Sequence, residues 1–298
     1  MDDTTALHTA ARRYCQQRFA DWYQNYKDLQ AREKWQIEDS FTRGWDYSED
    51  AYRIFPRYRV DAGIQVEVER LTPDCEASLE ALRTRLNRAC DVAEIRLHEE
   101  LTNSIAQEAL HQEADDFRAY ISVLNESDLR TIEQLPYRRV IGDLESTQLW
   151  KQLKRVWGIG EGHWFPLKQG PVPPNVIAFH DDYFQEIDGV ALLQNALKSQ
   201  DIGRVFQLHE FGPPEPEYEI DLSIFIPTYG SGGEQYSTSG LSDWVVYASH
   251  ESSVTICGDW LTRIIEEKLP DWSQHTYNGP YSTQDLRGTW EAKGNRNV

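Results

Sequence analysis

Four of the eight histidines are followed directly by an acid: His98-Glu99, His180-Asp181, His209-Glu210 and His250-Glu251. With 49 acids among 298 residues, fewer than two such pairs are expected by chance. Imidazole and carboxylate together can ligate a divalent metal or act as general base and acid. His180, Asp181, Asp182, His250 and Glu251 therefore form the candidate catalytic set. His209 and Glu210 are assigned to binding at the same strand ends. Neighbours on a strand point to opposite faces, so such a dipeptide is not itself a bonded pair. The fold has to bring separate dipeptides together. No HExxH or other fixed ligand spacing names a metal, so metal and cofactor stay unassigned.

Other chemistry is less well supported. Ser249-His250-Glu251-Ser252-Ser253 holds nucleophile and base types, but no G-x-S-x-G elbow is present. The glycine-punctuated run from Trp157 to Leu167 lacks the GxxxxGK[ST] pattern of a phosphate loop, and no strand leads into GxGxxG. Cys257 falls in an apolar strand, where a thiol acts as a small hydrophobe. Aromatic residues near turns, Trp164, Tyr229 and Tyr236, are candidate ligand contacts, because such rings give large contact area at small entropic cost. Arg53, Arg57 and Arg59 alternate with Tyr52, Phe55 and Tyr58, but neighbouring acids assign them to internal ion pairs and not to nucleic acid.

These residues need a scaffold, and its two halves differ in texture. Leu7, Ala10, Ala11, Tyr14, Phe19, Trp22, Tyr26 and Leu29 recur at helical intervals between Thr4 and Glu33, predicting an amphipathic helix with a core-facing stripe. Trp35 to Pro56 reads as an ordered loop, and Ile64-Val66-Val68 fits a strand or a helix. Thr72-Pro73-Asp74 opens a long helix carrying Leu79, Leu82, Leu86, Ala89, Cys90, Ala93 and Leu97, running to His111 or breaking near Thr102-Asn103. Further helix is expected over Ala114–Val123 and after Ser127.

From Leu135-Pro136 strands enter. Tyr137–Ile141, Val176–Phe179, Arg204–Leu208 and Tyr218–Phe225 have strand character, and helices are expected over Asp143–Trp157 and Gly189–Ser199. Asp243–Ser249 and Ser253–Cys257 read as a hairpin with a half-buried second strand. A helix capped by Asp259 follows and ends before Pro270, with Trp244 and Trp260 assigned to the core. The fold class is therefore α+β: a mainly helical domain over 1–134, a largely antiparallel α+β domain over 135–275, and a loosely attached tail over 276–298.

Composition narrows the function. Net charge is −19, made of −10 over residues 1–135 (27 acids, 17 bases) and −9 over the remainder. Such a field repels nucleic-acid phosphates and anionic lipid, and attracts a basic protein partner. Four dispersed cysteines, no apolar span and no basic-then-apolar leader place the protein in a reducing cytoplasm. The leading expectation is an acidic binding or regulatory protein, such as an immunity or antitoxin-like neutraliser. The alternatives are a hydrolase or metal-dependent enzyme using the His, Asp and Glu set, and a small-ligand-binding module.

Overall fold

The computed structural model describes residues 2–33, 48–72, 77–159, 175–210, 216–229 and 233–277. The chain divides into two compact units, Met1–Leu135 and Pro136–Val298.

In the first unit four long helices, α1 (Asp3–Glu33), α2 (Glu49–Glu69), α3 (Leu79–Glu100) and α4 (Ser104–Val123), form a bundle completed by the short α5 (Glu126–Leu129). Helix α2 packs against α1, α3 and α4. Its Val60, Ile64 and Val68, one turn apart, are fully buried, which resolves the ambiguous Ile64–Val68 stretch as helix. The loop expected up to Pro56 is corrected too. Ser48 accepts the amide of Ala51 at 3.2 Å, and the helix then runs through Pro56. Residues 35–47 lie outside the described residues. Helix α3 begins at Leu79 under a Ser78 cap, later than the Thr72 start expected. It stops at the Leu101–Asn103 break, where the Asn103 side chain accepts the amides of Ile105 and Ala106.

The bundle core also holds charge. Arg12 donates to Glu69 at 3.1 Å, both side chains being nearly dry. Glu113, with no side-chain exposure, accepts from Arg18 and from Arg57 at 2.9 Å, and both guanidiniums lie within 5.2 Å of the Trp22 ring centre. The three arginines singled out in the sequence all end in ion pairs: Arg53 with Glu49, Arg57 with Glu113, and Arg59 with Glu100. The aromatic stripe of α1 is only half-buried, because Phe19 and Tyr26 pack edge to face or tilted against Tyr58 and not into the aliphatic centre. Asp61 is fully buried, and neither carboxyl oxygen meets a hydrogen-bond partner among the described residues. Burial, reinforced by the Glu113 charge, pushes its pKa up to about 9.

The second unit is built on a seven-stranded sheet. The strands are β1 (Arg138–Val140), β2 (Val176–His180), β3 (Arg204–His209), β4 (Tyr218–Asp221), β5 (Gln235–Thr238), β6 (Val245–Ser249) and β7 (Ser253–Cys257). Their order is β1-β4-β3-β5-β6-β7-β2, and every pairing is antiparallel. Helix α6 (Asp143–Trp157) covers one face. Its Leu149 and Leu153 pack with Leu208, Tyr236, Val245, Tyr247 and Cys257. On the other face α7 (Asp181–Glu186) sets Phe184 against Phe179, with ring centres 6.3 Å apart; α8 (Gly189–Lys198) and α9 (Asp259–Lys268) extend that layer.

Cover on both faces corrects the half-buried reading of β7. All five of its residues are buried, polar Ser253 and Thr255 included. The expected strand Tyr218–Phe225 shortens to β4, because the Asp221 side chain accepts the Ser223 amide at 2.8 Å and turns the chain into a 3₁₀ turn. Neither Asp143 nor Asp259 is a cap. Gly142 and Gly258 hold those positions, and the aspartates sit in the first turn, where the helix dipole favours an acid. Trp244 is fully buried, whereas Trp260 is half-buried and donates to Asp243 at 2.8 Å. Thr276 and Tyr277 are bound to the sheet edge: Thr276 bridges Phe179, and Tyr277 donates its amide to Ala178 at 2.7 Å. The tail beyond Tyr277 lies outside the described residues.

Two stability outcomes follow. Gly258 has φ 128°, and a Cβ there would lie 2.9 Å from both the Asp243 carbonyl oxygen and the Trp244 Cβ. Gly258→Ala is expected to cost on the order of 2–4 kcal/mol in denaturant unfolding of the second unit. Asp61 has its folded pKa raised above the unfolded value, so rising pH between about 4 and 9 costs the first unit stability. Asp61→Asn removes that titration. The variant should melt higher than wild type at pH 8, and the difference should vanish near pH 4; a difference independent of pH refutes the assignment.

Candidate functional site

One end of the sheet collects most of the chemistry-bearing residues. The register pairs His209 with Gln235, Gln235 with Ala248, Ala248 with Val254 and Val254 with Phe179. One step further out, Glu210 donates its amide to the Glu234 carbonyl at 3.0 Å, Ser249 faces Ser253, and Ser253 faces His180. Side chains alternate along strands, so this outer row shares the face of Tyr236 and Tyr247, the face covered by α6. Tyr236 and Tyr247 stack across β5 and β6 with ring centres 4.7 Å apart, and Trp150 of α6 meets Tyr236 edge-on at 5.4 Å.

The hairpin between β6 and β7 supplies the other half of the site. Its loop is His250-Glu251-Ser252, and Ser252 adopts φ 57°. A three-residue loop closing on a left-handed residue is a standard way to join twisted strands. That turn presents His250 and Glu251 above the outer row. His250 Nδ1 bonds Glu234 Oε1, and the His250 amide approaches the same oxygen at 3.4 Å. His250 Nε2 lies 3.2 Å from Glu251 Oε1. The Tyr247 hydroxyl donates to Glu234 Oε2, and the Ser249 hydroxyl donates to Glu251 Oε2 at 2.7 Å.

The Glu234 side chain is 2% exposed, so its charge rests on these donors. Burial pushes its pKa up, but hydrogen bonds from Glu210, Tyr247 and His250 outweigh burial and hold it below the usual carboxylate value. Glu210 moves the other way, up to about 8, through burial, its hydrogen bond to Glu234, and the charges of Glu234 and Glu251. Burial and the adjacent Tyr236 and Glu234 likewise raise the Tyr247 phenol. Of the two, Glu210 is the weaker acid and Glu234 the stronger. A carboxylate in direct contact with a phenol and an imidazole can exchange protons with them. Glu234, His250 and Glu251 also offer ligand atoms that all lie within 4.8 Å of one another, an arrangement open to a metal ion.

The structure sorts the sequence candidates. His250, Glu251 and Glu210 converge on this site. His180 ends β2 at the same end of the sheet, exposed and with its ring edge-on to Tyr277 at 4.6 Å. Asp181 donates its amide to the Ser252 carbonyl at 2.9 Å, so the two segments touch through backbone, while the Asp182 side chain is exposed at the start of α7. The imidazole of His250 bonds Glu234, and its Nε2 lies 3.2 Å from Glu251 Oε1. His209 is half-buried and alternates to the opposite face from Glu210. Tyr229 is 52% exposed, its ring 6.2 Å from that of His250. Tyr236 is not on a loop surface but fully buried in β5. Trp164 lies outside the described residues. Glu234 is the member that sequence reasoning missed, since it follows a glycine-rich stretch with no histidine beside it in sequence. Compared with known proteins, the chain matches no family model, no curated protein and no solved structure.

The Glu210 proton makes stability pH-dependent in a definite direction. A carboxyl whose folded pKa is raised contributes most below its unfolded value and loses that contribution as pH climbs to about 8. Glu210→Gln keeps a donor for Glu234 but cannot titrate. Unfolding of the second unit, followed from pH 5 to pH 9, should fall less steeply in the variant than in wild type; identical slopes would remove the shared proton.

Proposed function

We propose that this chain is a binding or regulatory protein that engages a basic protein partner, in the manner of an immunity protein or antitoxin that neutralises a toxin by charge complementarity. The observation that carries this reading is how the described arginines are spent. Arg12, Arg18, Arg57, Arg118 and Arg139 are bound to acids within their own unit. Carboxylates such as Asp182, Glu266 and Glu267 are exposed. The chain carries a net −19, and a negative field of that kind accelerates association with a positive surface. The same field disfavours phosphate backbones. Among the described residues no helix is long and apolar enough to cross a membrane.

The test is affinity purification of the tagged full chain from its native host at low ionic strength, followed by kinetics with the recovered protein. The expected partner is basic, and its association rate should fall at least about tenfold between roughly 0.05 and 0.5 M salt, as screening shortens the reach of the field. Recovery of an acidic partner, or an association rate indifferent to salt, refutes the proposal.

A further inference from the structure

The contact between His250 and Glu251 raises a question of charge. Glu234 Oε1 lies against Nδ1 of the imidazole, and the Glu234 carboxylate is nearly dry. A carboxylate in that position accepts a proton, which places N–H on Nδ1. Nε2 then presents a lone pair to Glu251 Oε1 at 3.2 Å. Two acceptors do not face one another at that separation unless a cation lies between or beside them, either a second proton or a metal ion.

The surrounding bonds favour the metal. Each carboxylate has its Oε2 tied to a hydroxyl, Glu234 to Tyr247 and Glu251 to Ser249, so that both Oε1 atoms are turned toward the imidazole. The Ser249 hydroxyl is itself braced by Ser253 at 3.1 Å and by the Glu251 amide at 3.2 Å. A histidine whose Nδ1–H is held by a buried carboxylate while Nε2 is left for an ion is the usual supporting arrangement of zinc-type sites. Metal–ligand distances of about 2.0–2.1 Å in tetrahedral geometry put neighbouring ligand atoms about 3.3 Å apart, close to the separation found between Nε2 and Oε1. The His250 side chain is 44% exposed and that of Glu251 13%, so the pair sits at the protein surface and not in the core.

We propose that His250 Nε2 and Glu251 Oε1 bind a divalent cation of the zinc class, with Glu234 as the positioning carboxylate that fixes the imidazole. An imidazole and a carboxylate suit Zn²⁺ or Co²⁺ better than the all-oxygen preference of Mg²⁺ or Ca²⁺. This site does not depend on the protein-partner reading, because its donors are turned inward to one another and not spread over the acidic surface.

The experiment titrates the full-length chain with Zn²⁺ by calorimetry and with Co²⁺ by visible absorption, in excess Mg²⁺ to suppress loose binding by surface acids. One ion per chain is expected. His250→Ala and Glu251→Gln should each weaken binding by at least about a hundredfold, and Glu234→Gln by about 10–100-fold with stoichiometry retained, as for loss of a supporting carboxylate. His111→Ala, in the exposed His111–Glu94–Asp115 group of the first unit, should bind like wild type. Each variant is melted alongside, and Glu251→Gln, at the turn surface, keeps the test decisive if His250→Ala unfolds. Absence of saturable binding by wild type means that only a proton bridges the pair. Wild-type affinity in both His250→Ala and Glu251→Gln places the ion elsewhere. Either result overturns the proposal.

Discussion

A carboxylate removed from water keeps its charge only if the protein supplies donors, and this constraint organises both units. Glu113 is dry and is met by two guanidiniums; Glu69 is dry and is met by Arg12. Glu234 is nearly dry and is met by a phenol and an imidazole. Asp61 is the converse case. Its carboxyl has no such donor among the described residues, and it resolves the conflict by holding its proton. Helix α2 carries both cases: Asp61 meets no donor among the described residues, while Glu69, two turns further on, is paired with Arg12. The placement of α1 and α4 around α2 follows in part from these pairings, because Arg12 and Arg18 of α1 reach acids on α2 and α4 respectively.

The same constraint explains what was legible in the sequence. Elements that depend on local signals were readable: helix Asp143–Trp157, the hairpin strands and helix Asp259–Lys268 follow from periodicity and turn residues within their own span. Errors arose where a distant neighbour decides. Residues 49–56 read as loop because Pro56 and scattered aromatics break the pattern, but burial of Val60, Ile64 and Val68 against the other helices carries the helix through the proline. Strand β7 alternates polar and apolar residues, yet helices on both faces bury it entirely; no local pattern states that a second layer will arrive.

The site was half legible for the same reason. His250, Glu251 and Glu210 are marked by the adjacency of imidazole and acid, and strand ends are where such residues tend to matter. Adjacency, however, says nothing of which acid each histidine will meet. His250 reaches Glu234, sixteen positions away, through the register of β5 on β6, and nothing near Glu234 in sequence distinguishes it from other glutamates. His209-Glu210 separates for the opposite reason: alternation sends its two members to different faces of one strand.

Two kinds of acidity therefore coexist in this chain and act over different ranges. Glu69 and Glu113 are paired with guanidiniums within a few ångströms, so outside the protein their charge is largely cancelled, while Glu234 is held by hydrogen bonds at the end of the sheet. The exposed acids are screened only by salt, and their field extends over about a Debye length, roughly 8–10 Å at ordinary ionic strength. A change that neutralises Glu234 should therefore disturb the hairpin end while leaving long-range attraction almost intact, whereas reversing several exposed acids should do the opposite. The end of the sheet is a short-range device of hydrogen bonds and protons; the surface is a long-range one of net charge.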